Sequence, residues 1–142
     1  MENRADEREY IFFVNRKHIL IVDDDVNMLK LLRMFLSDDY QVTIVDSGKK
    51  ALEFILKHTP DLILLDYMMP LFDGPHVLEI LRKRDETKRV PVLFLTSVTE
   101  REKIIQCLAH NPQGYLIKPI SREELLQRVD EVFNPVKEEK SK

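Results

Sequence analysis

Three apolar runs of strand length punctuate the chain, and each ends abruptly in a polar residue with chemical potential. His18 to Val22 runs into Asp23, Leu62 to Leu65 into Asp66, and Val90 to Leu95 into Thr96. Continuous rather than alternating apolar runs suit strands covered on both faces, as central strands of a parallel sheet are. Two weaker runs, Gln41 to Val45 and Tyr115 to Ile117, complete the set of expected strands.

Helical signals fill the intervals. Residues 26 to 36 carry Val26, Leu29, Leu32, Met34, Phe35 and Leu36, an apolar stripe wide enough for a buried helix. Ser47 can cap a second helix containing Ala51, Leu52, Ile55 and Leu56, which Pro60 stops. Asp73-Gly74 reads as a turn, and Pro75 suits the first turn of a third helix carrying Val77, Leu78, Ile80 and Leu81. A fourth is expected from about Glu100 to Leu108, ending before Asn111-Pro112. A fifth opens on the capping box Ser121-Arg122-Glu123-Glu124 and buries Leu125, Leu126, Val129, Val132 and Phe133. Strand-helix repeats of this kind predict an α/β fold, a doubly wound five-stranded parallel sheet with helices on both faces and right-handed crossovers. Functional groups in such sheets gather beyond the carboxyl ends of the strands, where Asp23, Asp24, Asp66, Thr96 and Lys118 all fall.

The 142 residues allow one ordinary core rather than two. We expect an N-terminal extension over residues 1–16, a folded domain over 17–134 and a charged, disordered tail over 135–142. The net charge of −3, from 25 acids against 22 bases, disfavours direct nucleic-acid binding and attraction to an anionic membrane. Cys107 is the single cysteine, so no internal disulfide forms, and Ile104-Ile105-Gln106-Cys107-Leu108 reads as an inward helix face. No apolar run approaches the roughly 20 residues that span a bilayer, and the N-terminus is polar, which points to the cytoplasm.

The chemistry follows from the strand ends. Neighbouring strands would crowd Asp23, Asp24 and Asp66, and like charges about 5 Å apart repel by roughly 3 kcal/mol at an effective dielectric near 20. Mg²⁺, a hard cation that takes oxygen ligands and leaves positions for phosphate oxygens, relieves such crowding. No calcium-loop spacing or nearby His or Cys favours another metal, and His18, His58, His76 and His110 are too scattered to act as phosphodonors. A carboxylate can be the nucleophile of phosphoryl transfer, whose loose transition state needs positioned positive charge more than a proton shuttle. Lys118 supplies the charge and Thr96 a hydroxyl.

Ile19-Leu20-Ile21-Val22-Asp23-Asp24, Leu62-Ile63-Leu64-Leu65-Asp66-Tyr67-Met68-Met69-Pro70, Asp73-Gly74, Thr96-Ser97 and Tyr115-Leu116-Ile117-Lys118-Pro119 resemble the receiver domains of two-component response regulators over residues 17–134. The resemblance implies the strand order 2-1-3-4-5, an order known for the chemotaxis receiver. It implies Asp66 as phosphoacceptor, Mg²⁺ held by Asp23, Asp24, Asp66 and the Met68 backbone carbonyl, Lys118 as phosphate partner, Thr96 as switch hydroxyl and Tyr115 as switch aromatic. It further implies a cis bond before Pro119 and phosphate from a sensor histidine kinase or phosphotransfer protein. Signalling is expected through the fourth helix, fifth strand and fifth helix, with a homodimer through that face possible in the family. In the family, side chains at the positions of Met68 and Val98 border the path of the hydrolytic water, and neither of these residues can orient it by hydrogen bonding, so the resemblance implies a long-lived phosphate. The domain would be a signalling module, catalysing only its own phosphorylation and slow dephosphorylation. Pro75-His76 and the stretch Ala109 to Gly114 depart from the family pattern, which bears on partner choice and not on the chemistry.

Two other readings compete. Asp23-Asp24-Asp25 contains the Asp-x-Asp of haloacid-dehalogenase-type phosphatases, with Asp23 attacking and Asp25 as the acid, but this leaves Asp66 without a task. Asp25 reads better as a helix N-terminal acid. A receiver-like interaction module that is never phosphorylated would have no need of the full acid, hydroxyl and lysine set.

Overall fold

The computed structural model describes residues 7–97, 105 and 111–135. Five strands, β1 His18–Val22, β2 Gln41–Val45, β3 Leu62–Asp66, β4 Val92–Thr96 and β5 Gly114–Ile117, form one parallel sheet in the order β2-β1-β3-β4-β5, as expected. Strand β4 starts after Pro91, which has no N–H for the ladder, so Val90 falls in the preceding loop.

The alternation of side chains along each strand sorts the core into two layers. Leu20, Val22, Ile63, Leu65, Val92 and Phe94 face α3 Gly48–Lys57 and α4 Gly74–Lys83, packing on Ala51, Ile55, Val77, Leu78 and Leu81. Ile19, Ile21, Leu62, Leu64, Leu93, Leu95 and Leu116 face α2 Val26–Leu36 and α5 Arg122–Phe133, packing on Leu29, Leu32, Leu36, Leu125 and Val129. Both faces of β3 and β4 are covered, which is why their sequences are apolar throughout.

Each of these helices starts on a side-chain cap, and the sequence announces those of Ser47 and Ser121. The Asp25 side chain accepts from the Asn27 and Met28 N–H groups, Ser47 from Lys50, Asp73 from His76 and Ser121 from Glu124. Asp25, expected as a helix N-terminal acid, is the cap of α2, and Asp73 of the predicted turn caps α4.

One element was not expected. Residues Glu7–Val14 form a helix, α1, with Tyr10 and Ile11 exposed. An eight-residue helix is marginal alone and shows too few turns for a clear apolar period, although Glu7 and Glu9 in its first turn favour it. The following Arg16 donates to the carbonyls of Ser37 and Tyr40, tying this end of the chain to the α2–β2 turn. The helix expected over residues 100–108, apart from Ile105, together with Val98, Cys107, residues 1–6 and the tail over 136–142, lies outside the described residues. Among the described residues, no helix is long and apolar enough to cross a membrane.

Candidate functional site

The sheet reverses its order at β1, with β2 on one side and β3 on the other, so the loops leaving β1 and β3 diverge and open a crevice. Asp23 follows β1 and Asp66 ends β3, one strand apart. Asp23 is fully buried and Asp66 nearly so, whereas Asp24 is exposed. Carboxylate oxygens of all three lie within 4.8 Å of one another, the only such group of acids among the described residues. The Asp23 Oδ1 accepts from the Asp25 N–H at 2.9 Å, which fixes its carboxylate.

Lys118 reaches this cluster from β5, across the intervening β4. The register pairs Thr96 with Ile117, and the Lys118 N–H donates to the Thr96 carbonyl at 2.7 Å, placing the lysine at the level of the acids. The long, flexible stem then carries its Nζ to 2.9 Å from Asp23 Oδ2 and 3.2 Å from Asp66 Oδ1. The Lys118–Pro119 bond is cis, as the resemblance implied.

Burial pushes the Asp66 carboxyl up to about 7, the Asp23 charge adds to the rise, and Lys118 opposes both. Lys118 is pulled down by burial, but its hydrogen bonds and charge contacts with Asp23 and Asp66 outweigh this and hold it above its ordinary value. A carboxyl whose pKa rises on folding is better protonated in the folded state. Without metal, the protein should therefore lose stability as pH rises from about 4 to about 7, the window between the unfolded and folded values. In chelator, Asp66→Asn should remove most of that loss, on the order of 2 kcal/mol after allowing for solvent at the mouth of the site. Urea unfolding at pH 5 and pH 8 checks it, and an equal pH dependence in the variant would be contrary.

Thr96 is buried at the end of β4, beside Asp66 in the neighbouring strand, and its hydroxyl donates to the Ser97 carbonyl at 3.2 Å. Tyr115 lies opposite Phe94 and packs half-buried against the layer that contains Phe94 and Tyr67. Met68 presents a half-exposed side chain to an open pocket of about 350 Å³ lined with Asp24, Met69, Pro70 and Asp73.

Gly74 was read as part of a turn, but its proximity to the site was not legible in the sequence. A Cβ on it would stand 2.5 Å from the Asp66 carbonyl oxygen and 3.0 Å from a Phe94 ring carbon. Its N–H donates to the Tyr67 carbonyl at 3.0 Å, so α4 begins directly against the end of β3. The Asp-Gly pair signalled a turn, and only the tertiary approach gives the glycine its second reason.

This arrangement defines a doubly wound α/β domain with an acidic, lysine-bridged crevice suited to a hard cation and a phosphoryl group. The family model for the response regulator receiver domain matches residues 19–130, and the chain belongs to that family. Similar curated proteins include the two-component response regulator ORR3 of Oryza sativa subsp. indica, 37% identical over 72% of this chain and 80% of that protein. The sensor histidine kinase TmoS of Ectopseudomonas mendocina is 33% identical over 87% of this chain and 13% of that protein. A solved receiver domain of the sensor histidine kinase PA1611 from Pseudomonas aeruginosa PAO1, with a magnesium ion coordinated in its active-site cleft, superposes with a TM-score of 0.74 at 28% identity, covering 81% of this chain and 95% of that one. The chain spans between 13% and 53% of the length of three of its longer curated relatives.

Proposed function

We propose that this domain accepts one phosphoryl group on Asp66 from a sensor histidine kinase or phosphotransfer protein, and that the modified state changes the surface offered to a partner. The observation that carries this reading is the Lys118 ammonium held between Asp23 and Asp66 at the strand-order reversal. The Asp66 carboxylate attacks the donor phosphorus, so a P–O bond forms as the donor's bond to phosphorus breaks. Lys118 meets the charge on the transferred group, and the buried Thr96 hydroxyl stands beside the acceptor strand to donate to it. Mg²⁺ fits the oxygen-only cluster, held by Asp23, Asp24, Asp66 and the Met68 carbonyl, and when bound it supplies further positive charge to the phosphate oxygens.

A phosphoryl group adds nearly two negative charges and three acceptor oxygens, which favours Thr96 moving toward it and Tyr115 filling the vacated space. The face of β5 and α5, with the fourth helix expected from about Glu100 to Leu108, is then the output surface, for another protein or a second copy of the chain. The net charge of −3 favours protein over nucleic acid as the partner.

Incubation with acetyl phosphate and Mg²⁺ should add one phosphate by intact-mass spectrometry to the wild type and none to Asp66→Asn. Lys118→Ala should still bind Mg²⁺ yet lose most of the phosphorylation-dependent shape change, read by the amide-exchange pattern. Equal labelling of Asp66→Asn would refute the acceptor assignment.

A further inference from the structure

Lys118 extends from the end of the shortest strand in the sheet. β5 is four residues long and stands at the edge, so β4 alone pairs with it. Its ladder starts at the Gln113 N–H, which donates to the Val92 carbonyl at 2.7 Å. The register of Leu93 with Gly114, carried back three residues, would set the preceding rung between Val90 and Asn111. The backbone does not continue as a strand there, because Asn111 has φ of 58°, in the left-handed region that asparagine enters more readily than most residues.

Arg82, in the last turn of α4, stands in for that rung. One terminal guanidinium nitrogen donates to the Val90 carbonyl at 2.9 Å and the other to the Asn111 carbonyl at 3.0 Å, so one planar fork joins the entries of β4 and β5. The nitrogen that meets Val90 also lies 3.4 Å from the Thr87 carbonyl, and the buried Thr87 hydroxyl donates to the Leu81 carbonyl at 2.8 Å, which fastens this loop to the end of α4. Arg128 of α5 grips the strand from the opposite layer. It donates to the Tyr115 carbonyl at 3.2 Å, and a Cβ on Gly114 would stand 2.9 Å from its other terminal nitrogen, so the bare glycine leaves room for the guanidinium beside β5.

We infer that Arg82 and Arg128 are positioning residues for Lys118, holding the edge strand that carries it in place of the second neighbouring strand that β5 lacks. The inference rests on the phosphoacceptor reading and adds to it what keeps the site's lysine in register. Both grips fall on the entry and the first half of β5, whereas Lys118 follows its carboxyl end. The arginines therefore act through the strand and not on the transferred group. The acids proposed to hold Mg²⁺ stand at the ends of β1 and β3, outside the reach of this clamp.

The test compares wild type, Arg82→Lys, Arg82→Gln, Arg128→Gln and the double glutamine variant for Mg²⁺ binding and for phosphate uptake from acetyl phosphate, each also in a Lys118→Ala background. Each single glutamine variant should slow uptake about three-fold and the pair about ten-fold. Arg82→Lys keeps the charge but serves one carbonyl at a time, so its rate should fall between wild type and Arg82→Gln, and it carries the test should Arg82→Gln not fold. Mg²⁺ affinity should stay within about two-fold of wild type. In the Lys118→Ala background the arginine changes should alter uptake by less than about two-fold, the non-additivity of groups that act through one lysine. Wild-type uptake in the double variant, or in Arg82→Lys where Arg82→Gln does not fold, overturns the inference. Equal slowing with and without Lys118 also overturns it, as does loss of Mg²⁺ binding, since the arginines would then act on the fold as a whole. A wild type that takes up no phosphate overturns the phosphoacceptor reading, and the inference with it.

Discussion

Replacing Asp23 and Asp24 together with alanine is expected to abolish Mg²⁺ binding in the millimolar range, while Asp25→Ala leaves it intact. The three acids are consecutive, yet the fold gives them different work. Asp23 is fully buried and shares Lys118 with Asp66, and Asp24 stands at the mouth of the crevice. Asp25 turns away to accept the Asn27 and Met28 N–H groups at the start of α2. Its loss removes a helix cap, worth about 1 kcal/mol, and no metal ligand. Isothermal titration with Mg²⁺ and a thermal melt separate the two effects. Equal loss of metal binding in Asp25→Ala would instead favour the phosphatase-like use of the triplet.

The second large effect is expected at a residue with no functional group. Gly74→Ala should slow phosphate uptake from acetyl phosphate by about ten-fold or more, because misplacing a reacting group by even about 1 Å can cost a hundred-fold. The added methyl would stand 2.5 Å from the Asp66 carbonyl oxygen and 3.1 Å from the Tyr67 Cα, both backbone atoms that cannot rotate away. Either α4 withdraws or the end of β3 shifts, and the crowding should also destabilise the domain by about 1–3 kcal/mol. The backbone of Gly74 has an ordinary negative φ, so the penalty arises from contact and not from conformation. Uptake kinetics and urea unfolding on the same preparation test it, and a wild-type rate in Gly74→Ala would show that the contact does not position Asp66.

These two positions mark how far the sequence could be read. The strands, the Ser47 and Ser121 helix caps and the convergence of Asp23, Asp24, Asp66, Thr96 and Lys118 were legible because each rests on local pattern: apolar runs, a capping residue, a polar residue where a strand stops. The order of the strands was not readable from periodicity and came through the family resemblance, which the observed sheet matches. Contacts between distant segments were the blind spot. Gly74 against Asp66, Gly48 against Phe72 and Arg16 across to Ser37 and Tyr40 join elements whose approach no local pattern announces. Helix α1 was missed for a different reason, since so few residues leave little periodicity to detect. Leu71 shows a third kind of limit, because a leucine in a left-handed turn contradicts local preference and is visible only in the backbone.

The central claim is that Asp66, among three clustered carboxylates, is the one that becomes an acyl phosphate. Its most direct test is to charge the wild-type protein with acetyl phosphate and Mg²⁺, reduce it with borohydride, which converts a phosphorylated aspartate to homoserine, and sequence the peptides by mass spectrometry. Homoserine at position 66 alone is the result expected here, and homoserine at position 23 or 24, or at none of the three, would contradict it.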